Sequence, residues 1–347
     1  MTTDTSTRSA TPKAGRGSKI LFLEAVRGLA ATLVVLQHLV ASTWHPYRDW
    51  SETYFDLGRV GVVAFFLVSG YVIPLSLSKQ TTRTFLVRRF FRLYPVYWLG
   101  LGAYLLLANA GSIDPFSPVT FLANALMVQG LLGMVSLLPV AWTLSIELFF
   151  YAQQLGCKLV NMSRQSVYIG YVWLAVYLGM CAVQVIAHKD MPTTLPMLLF
   201  VACLGHAVHL RDRDGSRGAL ILALAGAVAV PLGAFGGYDG GEWNPFVYSS
   251  SFVGGLALFG AFYVARESRT PRILVTLGAW SYAMYLVHPI VSEVLAPIKT
   301  SAPALFMAAN AVTVLAASWA VHKFVELPSV DAGRRLTEKP KVPAHRS

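Results

Sequence analysis

The sequence predicts an all-α polytopic membrane protein: about ten transmembrane helices plus a re-entrant or interfacial segment, with both termini cytoplasmic. Three observations predict it. Of the 347 residues, 55% are apolar and only 13% are charged, against about 25% charged residues in a soluble domain. Charge this sparse cannot cover a water-facing surface. The apolar residues also come in runs of roughly 15–22, long enough to cross a hydrocarbon core about 30 Å thick, and mean hydropathy is +0.55. Finally, Lys and Arg gather in alternate short loops between the runs.

The net charge is +11 and the isoelectric point is about 9.7. In a soluble protein that balance would suggest nucleic acid. Here the bases sit in loops, as the positive-inside rule requires, and no basic patch is interleaved with aromatics. Nucleic acid is therefore excluded as a partner, and the lipid bilayer takes its place.

The elements follow in chain order. Residues 1–19 are polar, basic and rich in Ser and Thr, and are expected to be a disordered cytoplasmic tail. The run 20–41 has no small-residue cleavage site after it, so it reads as a retained first helix. Further runs lie at 59–77, 94–110, 119–135, 143–160, 167–187, 195–210, 218–236, 249–265, 273–296 and 303–323. That is one too many, because an odd number would put two basic termini on opposite sides.

Loop charge selects the run to drop. Loops 78–93 (Lys79, Arg83, Arg88, Arg89, Arg92), 211–217 and 266–272 are basic and expected inside. Loops 41–58, 111–118, 234–248 and 297–302 carry almost no Lys or Arg and are expected outside. Both sets agree only if 119–135 does not cross, which also puts Lys158 and Arg164 inside. Such an irregular segment survives at membrane depth only when protein covers it or it lines a cavity. The exceptions to the charge rule are Arg48, Arg59, Lys189 and Lys299 outside, and Arg27 within the first helix. The membrane domain then covers 20–328. Residues 329–347, with Arg334, Arg335, Lys339, Lys341 and Arg346, are expected as a second disordered cytoplasmic tail. Cys157, Cys181 and Cys203 have neither metal-ligand nor redox spacing and are expected as free thiols.

Charge inside a membrane helix costs about 2.5–3.5 kcal/mol on insertion scales, so it marks function by default. Glu24 and Arg27, three apart in the first helix, can pair on one face. Arg27 and His38 are eleven apart, which returns to the same face within roughly 20° and separates them by about 16 Å. The alternative is a topology-setting Arg and an interfacial His. In the run beginning Trp142-Thr143-Leu144-Ser145-Ile146-Glu147, continuing to Tyr151, a carboxylate lies one turn into an apolar helix. It is expected at the depth of His38, where the two could act as an acid–base pair; the alternative is a carboxylate placed at a helix N-terminus. Ser69-Gly70 reads equally as chemistry or as a small-residue helix contact. Arg89 and Arg92 could grip a phosphate with forked bonds, beside Arg88, or merely set topology. His288 and Glu326 close the candidates; the alternative for each is a structural role. His206 and His209 lack a third ligand, so no metal site is expected.

In order and spacing these pieces resemble the acyltransferase-3 family of bacterial membrane acyltransferases, from about 19 to 330. Leu23 to Ala30 is similar to its opening motif, with Glu24 where Asp is usual. Arg27 and His38 match its Arg-X10-His signature. Phe66 to Gly70 resembles its FFxxSG segment, Arg89 to Arg92 its RxxR motif, and Trp142 to Tyr151 its W-S-L-x-x-E-x-x-F-Y motif. Thr143 replaces Ser there, and Leu148 stands where members often have a second Glu. The resemblance implies O-acylation, usually acetylation, of a sugar in a surface polysaccharide, lipopolysaccharide or secondary metabolite such as a macrolide. It implies cytoplasmic acyl-CoA as donor and a bacterial inner-membrane location, with no permanently bound cofactor. Acyl-CoA phosphates would sit near Arg89, Arg92 and Arg88, and the pantetheine arm would pass Arg27. His38, tuned by Glu147, would act as general base or take the acyl group itself. Glu24, Ser69, Gly70, Trp142, Ser145, Tyr151, His288 and Glu326 would support the site. A flippase of a lipid-linked sugar is the rival class, but the inverted repeats common in transporters are not evident.

Overall fold

A computed structural model describes residues 18–108, 117–238 and 244–338. Parts of the expected outer loops, most of the first expected tail and the end of the second lie outside these residues. Every regular element described is helical. In lipid no water satisfies backbone groups, so helices that bond internally are the natural solution. The elements are α1 (Ser18–Thr43), α2 (His45–Thr53), α3 (Leu57–Ser78), α4 (Thr82–Ala103) and α5 (Pro118–Ala125). They continue with α6 (Trp142–Leu159), α7 (Ser166–Ala187), α8 (Thr194–Asp214), α9 (Gly218–Gly236) and α10 (Pro245–Val264). The last are α11 (Arg272–Val294), α12 (Pro303–Val321) and α13 (Leu327–Arg335). Short π-helical turns, Tyr104–Ala108 and His322–Glu326, follow α4 and α12.

Among the described residues, nine helices are long and apolar enough to cross a membrane. The tenth expected span is α6, whose 18 residues include the polar Glu147, Gln153, Gln154 and Lys158. The run 119–135 forms only the eight-residue α5, about 12 Å long at 1.5 Å per residue, followed by turns. Its irregular backbone is tied to α4 by side-chain hydrogen bonds. Tyr94, Tyr97 and Trp98 of α4 donate to the carbonyls of Leu126, Asn124 and Ala125. The fully buried Asn124 bonds the Val135 carbonyl and the Leu137 amide.

Glycine sets the closest crossings, since a missing Cβ lets backbones touch without any net apolar drive between helices in lipid. A Cβ on Gly278 would lie 2.0 Å from the Glu24 carbonyl oxygen, and one on Gly28 2.4 Å from that of Leu274. Gly28 also meets Gly278, and His38 neighbours His288 further along, so α1 runs parallel to α11. Gly61 meets the Ala30 carbonyl and Gly58 meets Gln37, which sets α1 antiparallel to α3. Gly70 packs on the Ala202 carbonyl of α8 at a Cβ distance of 1.9 Å, so its structural reading as a helix contact holds.

One end of the bundle collects the basic loops. There Lys158 donates to the carbonyls of Leu77 and Gln80, and Asp212 accepts from Tyr71 and Tyr263 beside Arg266. The stretch from 329, expected within a disordered tail, is helical as far as Arg335. It is pinned by Arg88 donating to Thr337 at 2.8 Å and by Gly333 against Phe91. The three cysteines are free.

Candidate functional site

Two polar clusters stand at different depths of the bundle. The first lies toward the basic end. Arg27 pairs with Glu24 at 3.3 Å, and its guanidinium lies 5.8 Å from the Phe65 ring of α3. Glu147, 6% exposed, accepts from Ser69 at 3.2 Å and from Tyr151 at 2.6 Å. Arg89 turns inward from α4 and sits 5.4 Å from both the Phe85 and Tyr151 rings. Its charge interacts with those of Glu147, Arg92 and Arg27. A guanidinium, a phenol, a carboxylate and a hydroxyl thus form one chain across α4, α6 and α3. Such a partnered arrangement is what makes ionised groups tolerable at this depth.

The second cluster lies toward the far end. The His38 Nδ1 bonds the Val34 carbonyl at 2.8 Å. The His288 Nδ1 faces the Met284 carbonyl at 3.2 Å. A carbonyl only accepts, so each Nδ1 carries a proton, and in the neutral imidazole Nε2 is then the atom with the lone pair. The ring centroids are 5.1 Å apart. His38 is exposed, whereas His288 is 1% exposed and no described residue bonds its Nε2. Such an unmatched buried acceptor costs about 1–3 kcal/mol. Beside His38, Gln37 anchors α2 by donating to Ser51 and accepting from Tyr47. Burial, then the Asp56 charge, holds the Tyr47 hydroxyl proton above its ordinary range.

A narrow, largely apolar cavity of about 30 Å³ lies between the clusters, touching Glu147 of the first and stopping short of both imidazoles. Glu147 and Phe66 line it at one end, Val34 and Tyr285 at the other. Val34 and Tyr285 lie one turn before His38 and His288 on their helices. Tyr285 donates to the Val140 carbonyl and shares a 2.7 Å hydrogen bond with Thr143. Neither Tyr285 nor Phe65, also in the wall, stood out in the sequence. An aromatic in an apolar run carries no mark of which face it presents.

The expectation that Glu147 shares the depth of His38 is corrected. From the level where Gly61 meets Ala30, His38 lies about 12 Å toward the far end, while Ser69 lies about 12 Å the other way. Glu147 sits on Ser69, hence near the level of Arg27. The cause is the segment after α5. It carries the chain into the bundle before α6 begins, so Thr143 meets Tyr285 about 14 Å short of the end of α11. His38 takes His288 as its neighbour instead.

Of the candidate residues only Glu147 lines the cavity. Arg88 is engaged with Thr337. Trp142 is 39% exposed. Ser145, fully buried, accepts from the Gly130 amide and fixes the segment leading into α6. Glu326 pairs with His322 at 2.9 Å.

The molecule is thus a polytopic helical protein with paired charge toward one end and two neighbouring imidazoles toward the other. The chain belongs to the acyltransferase-3 family: the sequence model described as "Acyltransferase domain" matches residues 20–323. The chain is also 27% identical over 165 residues to the exopolysaccharide production protein ExoZ of Rhizobium meliloti (strain 1021), covering 43% of this chain and 50% of that one. The alignment thus spans about half the length of that relative. No solved structure matches.

Proposed function

We propose that this acyltransferase moves an acetyl group from cytoplasmic acetyl-CoA to a sugar hydroxyl of an exported polysaccharide, in the bacterial inner membrane. The basic end faces the cytoplasm, by the positive-inside rule. The acyl-CoA phosphates dock at Arg89 and Arg92, and the pantetheine arm follows the cavity past Arg27 and Glu147. His38 Nε2, bearing a lone pair and open to the outside of the bundle, takes the proton of the acceptor hydroxyl. The oxygen forms its bond to the thioester carbonyl carbon, the C–S bond breaks, and the departing thiolate takes up a proton. A route in which His38 first carries the acyl group uses the same atom. The similarity to an exopolysaccharide production protein favours a glycan over a small metabolite as acceptor.

The observation that carries this reading is the cavity running from Glu147 to one turn short of His38. The test is transfer of labelled acetyl from acetyl-CoA to de-acetylated polysaccharide of the host, by purified protein in lipid. His38→Ala should lower turnover about 10²–10⁴-fold, the usual worth of a positioned acid–base group, with acetyl-CoA binding intact. Substantial transfer by His38→Ala would remove His38 from the chemistry.

A further inference from the structure

We infer that His288 shares the proton that His38 removes from the acceptor, so that His38 works as half of an imidazole pair. The inference rests on the proposed role of His38.

Both rings are tied to their own helices in the same way, Nδ1 to the carbonyl four residues back. Both therefore present Nε2 as the free corner. With centroids 5.1 Å apart and planes tilted by 46° the rings are neighbours; as they stand no hydrogen bond joins them, and reorientation of the exposed His38 ring would bring Nε2 to Nε2. Two lone pairs cannot bond each other, but one added proton can bond both. His38 is exposed and reaches reactants; His288 is sealed behind it at 1% exposure, and no described residue bonds its Nε2. A buried acceptor facing a base that is about to gain a proton has one use that fits its burial. It stabilises that proton on the base, and so raises the proton affinity of His38 without touching either substrate. His288 is thus a positioning residue acting through His38.

The proton balance is complete. One proton leaves the acceptor hydroxyl, lies between the two Nε2 atoms, and passes to the thiolate that leaves. The surroundings supply no competing charge at contact. On α11, Tyr285 packs on His288 at 6.0 Å, and Glu293 lies further toward the helix end, near Tyr104 after α4. On α1 and α2 the nearby polar groups are Gln37 and Tyr47; at the start of α3, Asp56 pairs with Arg59. The α12 sequence from Pro303 to Val321, packed on α11, contains no titratable side chain.

The test compares His288→Phe, which keeps a ring but no nitrogen, with His288→Gln, whose amide oxygen can accept at a similar reach. Transfer is measured against pH in the lipid-embedded protein. The shared proton raises the first protonation of the pair, so base activity in the native protein is lost at a higher pH than for a lone imidazole. His288→Phe should slow transfer about tenfold and move the acid limb about one unit lower, the size at which two sites titrate as a pair. His288→Gln should restore part of both. A native rate in His288→Phe, or a slower rate with an unmoved acid limb in both variants, would overturn the pairing. If His38→Ala is inactive in the same assay, that failure leaves the role of His38 standing; if it is active, the reading of the site itself fails.

Discussion

The two clusters differ in how their polar groups are satisfied. Toward the basic end, Glu24 holds Arg27, Ser69 and Tyr151 hold Glu147, and Arg89 rests on two aromatic rings. Toward the far end, His38 and His288 each spend one nitrogen on their own helix and leave the other open. Ionised groups in a bilayer persist only with partners, so the charged cluster is closed and suited to binding and orienting. Neutral imidazoles tolerate an open acceptor at smaller cost, and an open acceptor is what proton transfer requires. In the proposed mechanism, paired charge and unpaired imidazole thus divide donor handling from chemistry.

This division is broken most directly by combining changes in both clusters. Glu147→Gln keeps the shape but removes the charged acceptor of two hydrogen bonds, each worth about 1.5–3 kcal/mol. It should weaken transfer roughly ten- to a hundredfold, chiefly through acetyl-CoA binding. Because Glu147 and His38 do not touch, the free-energy effects of the two variants should add in the double mutant within about 0.5 kcal/mol. A double mutant no worse than His38→Ala would show the two acting as one unit, and the separation of clusters would fail.

A smaller effect is expected from Arg89→Lys combined with Arg92→Lys. Loop charge and insertion are kept, while forked phosphate contacts are lost. Acetyl-CoA affinity should fall about tenfold with little change in turnover at saturating donor. Equal affinity, read by direct binding to the purified protein, would return both arginines to topology alone. The smallest effect belongs to Arg88. Its bond to Thr337 holds α13 on α4, so Arg88→Ala should cost at most about 1.5 kcal/mol of stability and leave donor affinity unchanged. A clear loss of affinity would extend the donor site to Arg88.

Much of the molecule was legible as sequence. Apolar run length and the scarcity of charge determined a helical membrane protein, since lipid leaves the backbone few alternatives. Loop charge singled out 119–135 as the run that does not cross, and the structure has only the short α5 there. Helical periodicity put Glu24 beside Arg27, because a three-residue spacing is a local matter. Neighbours on different helices were not legible. That Glu147 meets Ser69 rather than His38 depends on how deep α6 begins, which the irregular turns of 126–141 decide. That His38 faces His288, 250 positions away in the chain, depends on Gly28 and Gly278 letting α1 and α11 close to backbone contact. Periodicity reports which residues share a face of one helix; only packing reports what that face meets.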